Sequence, residues 1–172
     1  VILRRNRLIY CSAGIYLDQS PFQPDLSNHF EENEIAFNGS GVQFHMPLDG
    51  NVFLRNRFIG NFVPVAVDNN GGAVMSQWSG NYWDTYEGFD RNGNGVGDTP
   101  YELYAYTGQL WLNKPGVKFF FASPVLTLLD FLEHLAPLRA PTLILRDEHP
   151  AFNRQPLPAQ GTHPGREGIA HG

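Results

Sequence analysis

Leu3-Arg4-Arg5-Asn6-Arg7-Leu8, Phe30-Glu31-Glu32-Asn33-Glu34-Ile35 and Phe53-Leu54-Arg55-Asn56-Arg57-Phe58 are three copies of one pattern. Each asparagine has a large apolar residue three places before it and another two places after it. Eight places after it stands Gly14, Gly41 or Pro64, followed at once by Ile15-Tyr16-Leu17, Val42-Gln43-Phe44 or Val65-Ala66-Val67. The asparagines are 27 and 23 residues apart, and Trp78-Ser79-Gly80-Asn81-Tyr82-Trp83 opens a fourth copy 25 residues further on. A period in the twenties carrying apolar-x-apolar triplets describes stacked coils.

Alternation along each short strand sends Leu8, Ile15 and Leu17 inward and Tyr16 outward, and the later coils repeat this with Ile35, Val42, Phe44 and then Phe58, Val65, Val67. The asparagine is expected at a turn, in a left-handed backbone conformation that its side chain tolerates, with its amide bonded to the next coil's asparagine or to turn backbone. Stacked in register, Asn6, Asn33 and Asn56 form a buried column. Leucine-rich repeats need helical stretches between strands, and a sandwich does not keep asparagine, glycine and apolar residues at fixed offsets. The fold class expected is therefore all-β, a right-handed parallel β-helix with a C-terminal cap and a short α-helix. Two coils carry loops, at 19–28 with Pro21 and Pro24 and at 45–51 with Pro47 and Gly50. Loops on one face of a solenoid often carry recognition.

Composition narrows the partners. Twelve Lys and Arg against seventeen Asp and Glu give a net charge of −5, and no basic stripe suits nucleic acid. One cysteine, Cys11, excludes a disulfide framework within the chain and is compatible with an oxidising compartment. The chain starts with Val1 and enters its first coil within three residues, so it reads as the C-terminal portion of a longer solenoid.

The repeat fails at Gly80 to Phe89, a segment dense in aromatics, as expected where an open stack needs a cap. Next comes Asp90-Arg91-Asn92-Gly93-Asn94-Gly95-Val96-Gly97-Asp98. Side-chain oxygens at Asp90, Asn92, Asn94 and Asp98, with the Val96 carbonyl, have the spacing of a loop wrapped around Ca²⁺. Two of the four side chains are neutral and Tyr101 stands where an EF-hand has glutamate, so a tight Asx/Gly turn needing no ion is the competing reading. Coils and cap form one unit, 1–101. A C-terminal extension, 102–152, contains a helix at about 124–136, begun by Ser123-Pro124 and ended by Pro137. Its apolar face, Val125, Leu128, Leu129, Leu132 and Leu135, packs across the last coil and shields its edge, or else Phe119 to Phe121, with Leu126 or Phe131, docks on a partner or membrane surface. No apolar run reaches the ~20 residues that span a bilayer. The tail, 153–172, is expected to be disordered.

Gly80 to Tyr101 resembles the segment that closes the repeat region in the NosD family of nitrous oxide reductase maturation proteins. The coils before it are similar to that family's carbohydrate-binding/sugar-hydrolase-type repeats, and Ser123 to Leu132 with Asp147-Glu148-His149-Pro150 resembles its C-terminal end, so the likeness covers about 1–153. The resemblance implies a periplasmic, non-enzymatic scaffold that works with an ABC-type ATPase–permease pair and with nitrous oxide reductase or a copper chaperone in assembling copper centres. Copper would then be a transient cargo and calcium a structural ion. His45-Met46 is the one adjacent pair of residues with ligand atoms suited to copper, while Met75, His134 and His149 are isolated. An extracellular carbohydrate-binding or polysaccharide-cleaving β-helix is the alternative. Its candidates are Asp18, His45 and Asp68, each twelve residues after a repeat asparagine. A Ca²⁺-stabilised adhesion repeat is a third reading.

Overall fold

The computed structural model describes residues 1–23, 25–46, 49–68, 72–105, 128, 131 and 142–153. Three parallel sheets run the length of a rod. The first contains β1 (Ile2–Arg4), β4 (Asn28–Glu31), β7 (Asn51–Leu54) and β10 (Gln77–Ser79). The second contains β2 (Arg7–Ile9), β5 (Glu34–Ala36), β8 (Arg57–Ile59) and β11 (Tyr82–Trp83). The third contains β3 (Ala13–Leu17), β6 (Ser40–Phe44) and β9 (Val63–Val67). Each circuit takes one strand from every sheet, so the chain completes three coils and begins a fourth. This is the parallel β-helix that the spacing of the asparagines requires.

Register turns the repeat into columns. Leu3, Phe30, Phe53 and Trp78 lie over one another, as do Leu8, Ile35, Phe58 and Trp83. Ile15, Val42 and Val65 make a third column, beside Leu17, Phe44 and Val67. The rings stack nearly parallel, with centroids 4.7 Å apart for Phe30–Phe53, 4.1 Å for Phe53–Trp78 and 4.2 Å for Phe58–Trp83. Such pairs add to the stabilisation from area burial alone. Tyr16 faces outward and is exposed, as alternation demands. Gly14 is needed because a Cβ there would sit 2.7 Å from the Gly41 carbonyl oxygen of the next coil. At Gly41 the same clash, with the Pro64 oxygen, would be 2.5 Å.

The expected asparagine column is present, but the left-handed residue is the one before it. Arg5, Glu32 and Arg55 have φ of 58°, 54° and 52°, with Gly80 at 67° in the fourth coil, whereas the asparagines do not have positive φ. The turn is therefore made by the preceding residue, and the asparagine is left to point inward and bond. A second corner repeats the device, with Tyr10, Phe37 and Gly60 at φ of 57°, 55° and 57°.

After the coils the chain leaves the stack through the 90–98 loop and enters β12 (Tyr101–Ala105), paired antiparallel with β13 (Thr142–Asp147). Tyr101 lays its ring on Trp83, 4.5 Å between centroids, and Ile144 and Leu145 join the core behind it. The rod is closed over Trp83 as expected. The closing element includes a strand, β13, that helical and repeat periodicity did not identify. Of the helix expected at 124–136, Leu128 and Phe131 are described; both are helical and exposed. The remainder of that helix, Phe119 to Phe121, and the tail from 154 onward lie outside the described residues.

Candidate functional surfaces

Polar groups inside the rod are organised as ladders. Asn33, Asn56 and Asn81 each offer their Oδ1 to two donors of the preceding coil, a backbone N–H and a side-chain amide. Asn6 N and Nδ2 reach Asn33 Oδ1 at 2.9 and 3.2 Å, Asn33 reaches Asn56 Oδ1 at 3.1 and 3.0 Å, and Asn56 reaches Asn81 Oδ1 at 2.9 and 3.1 Å. The spare amide hydrogen goes back to a carbonyl, as from Asn56 Nδ2 to Phe30 O at 2.7 Å. Asn81 then donates its N and Nδ2 to Asp147 Oδ2 at 3.0 and 2.9 Å, and Trp83 Nε1 joins them at 3.3 Å. Asp147 is fully buried, so it terminates the column. Sequence reading missed this residue's role; its only signal was membership of the Asp147-Glu148-His149-Pro150 run. A second ladder was also missed. Cys11 N donates to Asn38 Oδ1 at 2.9 Å, and Asn38 N and Nδ2 donate to Asn61 Oδ1 at 3.0 and 2.9 Å. A fixed offset of five from the first column would have revealed it.

The corner between the first and second sheets is an ionic sandwich. Glu32 of the second coil lies between Arg5 and Arg55 of its neighbours, at 2.7 and 3.4 Å, and also meets Arg4 at 3.0 Å. Hydrogen bonds from Arg5 and then Arg4 pull the Glu32 carboxyl down to about 2, and the same contact raises the Arg4 guanidinium. One step along, Glu34 sits between Arg7, at 3.0 Å, and Arg57, with which it forms a buried pair. The sign alternates coil by coil: basic, acidic, basic.

The polar edge after the third sheet gathers two of the three residues that carbohydrate chemistry would need. His45 Nδ1 lies 3.2 Å from Asp68 Oδ2, and Gln43 Nε2 donates to both Asp68 oxygens at 3.0 and 3.2 Å. Asp18 is in line with them in the first coil but exposed. The proposed copper pair diverges: His45 turns to Asp68 of the third coil, while Met46 Sδ accepts from Gln19 Nε2 of the first coil at 3.5 Å. Among the described residues, no three His, Cys, Asp or Glu side chains converge as a metal cluster. Among the described residues, none of these groupings fits a resident copper centre. Met75 stands in a 3-10 turn, Gly72–Met75, and His149 lies on the cap, where its carbonyl accepts Gly80 N–H. His134 lies outside the described residues.

The 90–98 loop closes on its own oxygens. Asp90 accepts Asn94 N and Gly95 N at 3.1 and 2.8 Å, Asn92 accepts Asn94 N at 3.0 Å, Asn94 accepts Val96 N at 2.8 Å, and Asp98 accepts Arg91 N at 2.9 Å. These are Asx-type turns. The loop also clasps the chain beyond β13: Gly97 N donates to Pro150 O at 2.8 Å and Phe152 N to Gly95 O at 2.9 Å. Ala151 N in turn donates to Asn81 O at 2.9 Å. The His149–Phe152 segment thus lies between the fourth coil and the loop.

Fold, ladder and charged corners together define a capped parallel β-helix. A family model described as "Periplasmic copper-binding protein (NosD)" matches residues 1–88, and the chain belongs to the NosD family. It is 31% identical over 144 residues to a probable ABC transporter binding protein NosD of Pseudomonas aeruginosa, covering 81% of this chain and 32% of that protein. A protein of the same name from Stutzerimonas stutzeri is 27% identical over 142 residues, covering 80% of this chain and 30% of that protein. The chain therefore spans about a third of the curated relatives it matches. No helix among the described residues is long and apolar enough to cross a membrane.

Proposed function

We propose that this chain is the capped end of a periplasmic scaffold that helps assemble the copper centres of nitrous oxide reductase, docking on an ABC-type ATPase–permease and passing copper as cargo. The observation that carries the reading is the family match over the coils, joined to relatives whose printed name is an ABC transporter binding protein. The physical character of the rod supports it. Ladders and stacked rings fix the coils, so side chains on the corners are held in constant relative positions, as a docking surface requires. Energy from ATP would come from the partner.

The test uses the full-length protein in its own cells. Tagged protein co-purifies with the ATPase–permease, and deletion of residues 118–136 removes that association while the coils stay folded by circular dichroism. In a strain lacking the gene, nitrous oxide reductase is isolated depleted of copper. Full copper loading in that strain would refute the reading.

A further inference from the structure

Charge on the coils is segregated by corner. Within residues 1–88 the basic side chains are Arg4, Arg5, Arg7, Arg55 and Arg57, all at the turn between the first and second sheets. There they are matched by Glu31, Glu32 and Glu34, each within 4 Å of an arginine. The opposite corner, where the chain passes from the third sheet back to the first, carries Asp18, Asp25, Asp49 and Asp68, with His45 beside Asp68 and no lysine or arginine. Among the described residues, Asp18, Asp25 and Asp49 are exposed and make no ion pair.

That acidic corner also holds exposed apolar side chains from three successive coils. Phe22 and Leu26 come from the first loop, Met46 from the second, and Val74 and Met75 from the third, with Phe22 84% exposed. Both methionines of the chain are here. The corner is continuous across coils. Gln19 meets Met46, Asn28 Nδ2 bonds Ser20 Oγ at 2.9 Å and Asn51 Oδ1 at 3.0 Å, and His45 next to Met46 bonds Asp68. Single exposed apolar residues are ordinary. Five on the same corner of successive coils, two of them adaptable thioethers and interspersed with aspartates, have the composition of a docking site.

We infer that this loop corner binds a folded protein presenting an apolar patch rimmed by lysine and arginine. Charge decides the occupant. The unpaired carboxylates of Asp18, Asp25 and Asp49 on this corner repel anionic lipid headgroups and nucleic acid, and draw in basic side chains beside the apolar contact. The inference rests on the scaffold reading above and adds to it the contacting surface and the partner's chemistry.

Binding of the full-length protein to purified ATPase–permease, reductase and copper chaperone is measured by interferometry at about 50 and about 300 mM salt. Three variants are compared: Asp18→Asn/Asp25→Asn/Asp49→Asn, Phe22→Ser/Met75→Gln, and Tyr10→Ser/Phe37→Ser, which alters a different corner. For at least one of the three proteins, each of the first two variants weakens binding about tenfold or more. The aspartate variant also flattens the salt dependence, and the Tyr10/Phe37 variant binds as wild type. Wild-type binding that both loop-corner variants leave unchanged overturns the inference and spares the scaffold reading. No binding by the wild type overturns both. Loss in these variants of self-association, or of adsorption to phosphatidylserine vesicles, with protein binding intact, also overturns it, because the corner's occupant is then a second copy or a membrane.

Discussion

Asp147 is the residue on which the asparagine column depends. Four N–H groups converge on its carboxylate: Asn81 N, Asn81 Nδ2 and Trp83 Nε1 at Oδ2, and His149 N at Oδ1, 3.1 Å away. A group that only accepts suits that position, because an asparagine would turn one of its own N–H bonds toward a donor. Asp147→Ala leaves buried donors without partners and is expected to cost about 3 kcal/mol or more, at about 1–3 kcal/mol for each unsatisfied group. Asp147→Asn keeps the Oδ2 bonds, confronts His149 N with an amide, and is expected to lose about half as much. Urea titrations followed by tryptophan fluorescence give both values. Equal losses in the two variants would mean that negative charge, not acceptor count, is what the site requires. The column itself is legible in the sequence because it repeats at constant offset. Its terminator is not, because Asp147 lies 66 residues beyond Asn81 and no period leads to it.

At the scale of the strand and its turn, the second coil is held between its neighbours by charge as well as by stacked rings. Glu32 carries a folded-state value of about 2 against an ordinary 4.5, because Arg5 and Arg4 bond its ionised form. The unfolded chain therefore takes up this proton first as pH falls. The sandwich contributes fully above about pH 5 and fades as pH drops through about 2. Melting temperatures from calorimetry are expected to fall across that window. Glu32→Gln should melt below wild type at pH 7 and converge with it near pH 2, whereas a constant gap would assign the effect to packing. The pairing was open to sequence reading, since Arg5, Glu32 and Arg55 all directly precede repeat asparagines. The turn geometry was less accessible. Asparagine tolerates positive φ well, yet here its amide is committed to the ladder, so arginine, glutamate or glycine adopts the left-handed conformation instead. The divergence of His45 and Met46 was likewise hidden. It depends on Gln19 and Asp68, which lie in other coils.

For the molecule as a whole, closure is non-local. Coils 1 to 4 are built from contacts between segments about 25 residues apart, whereas the end is sealed by β13 and the segment after it. In a solenoid each coil leans mainly on its neighbours, so damage at one end should stay there. Leu145, fully buried beneath the cap, tests this. Leu145→Ala is expected to cost about 2–4 kcal/mol by opening a cavity in the core opposite its cross-strand partner Leu103. Hydrogen exchange should show the loss concentrated in β10, β11 and β12, while amides of β2 and β5 change little. A uniform loss would show instead that the rod unfolds as one cooperative unit. The local outcome would bear on the proposed scaffold role: a capped end that loosens while the corner loops stay fixed could exchange contacts at one site without surrendering those at another.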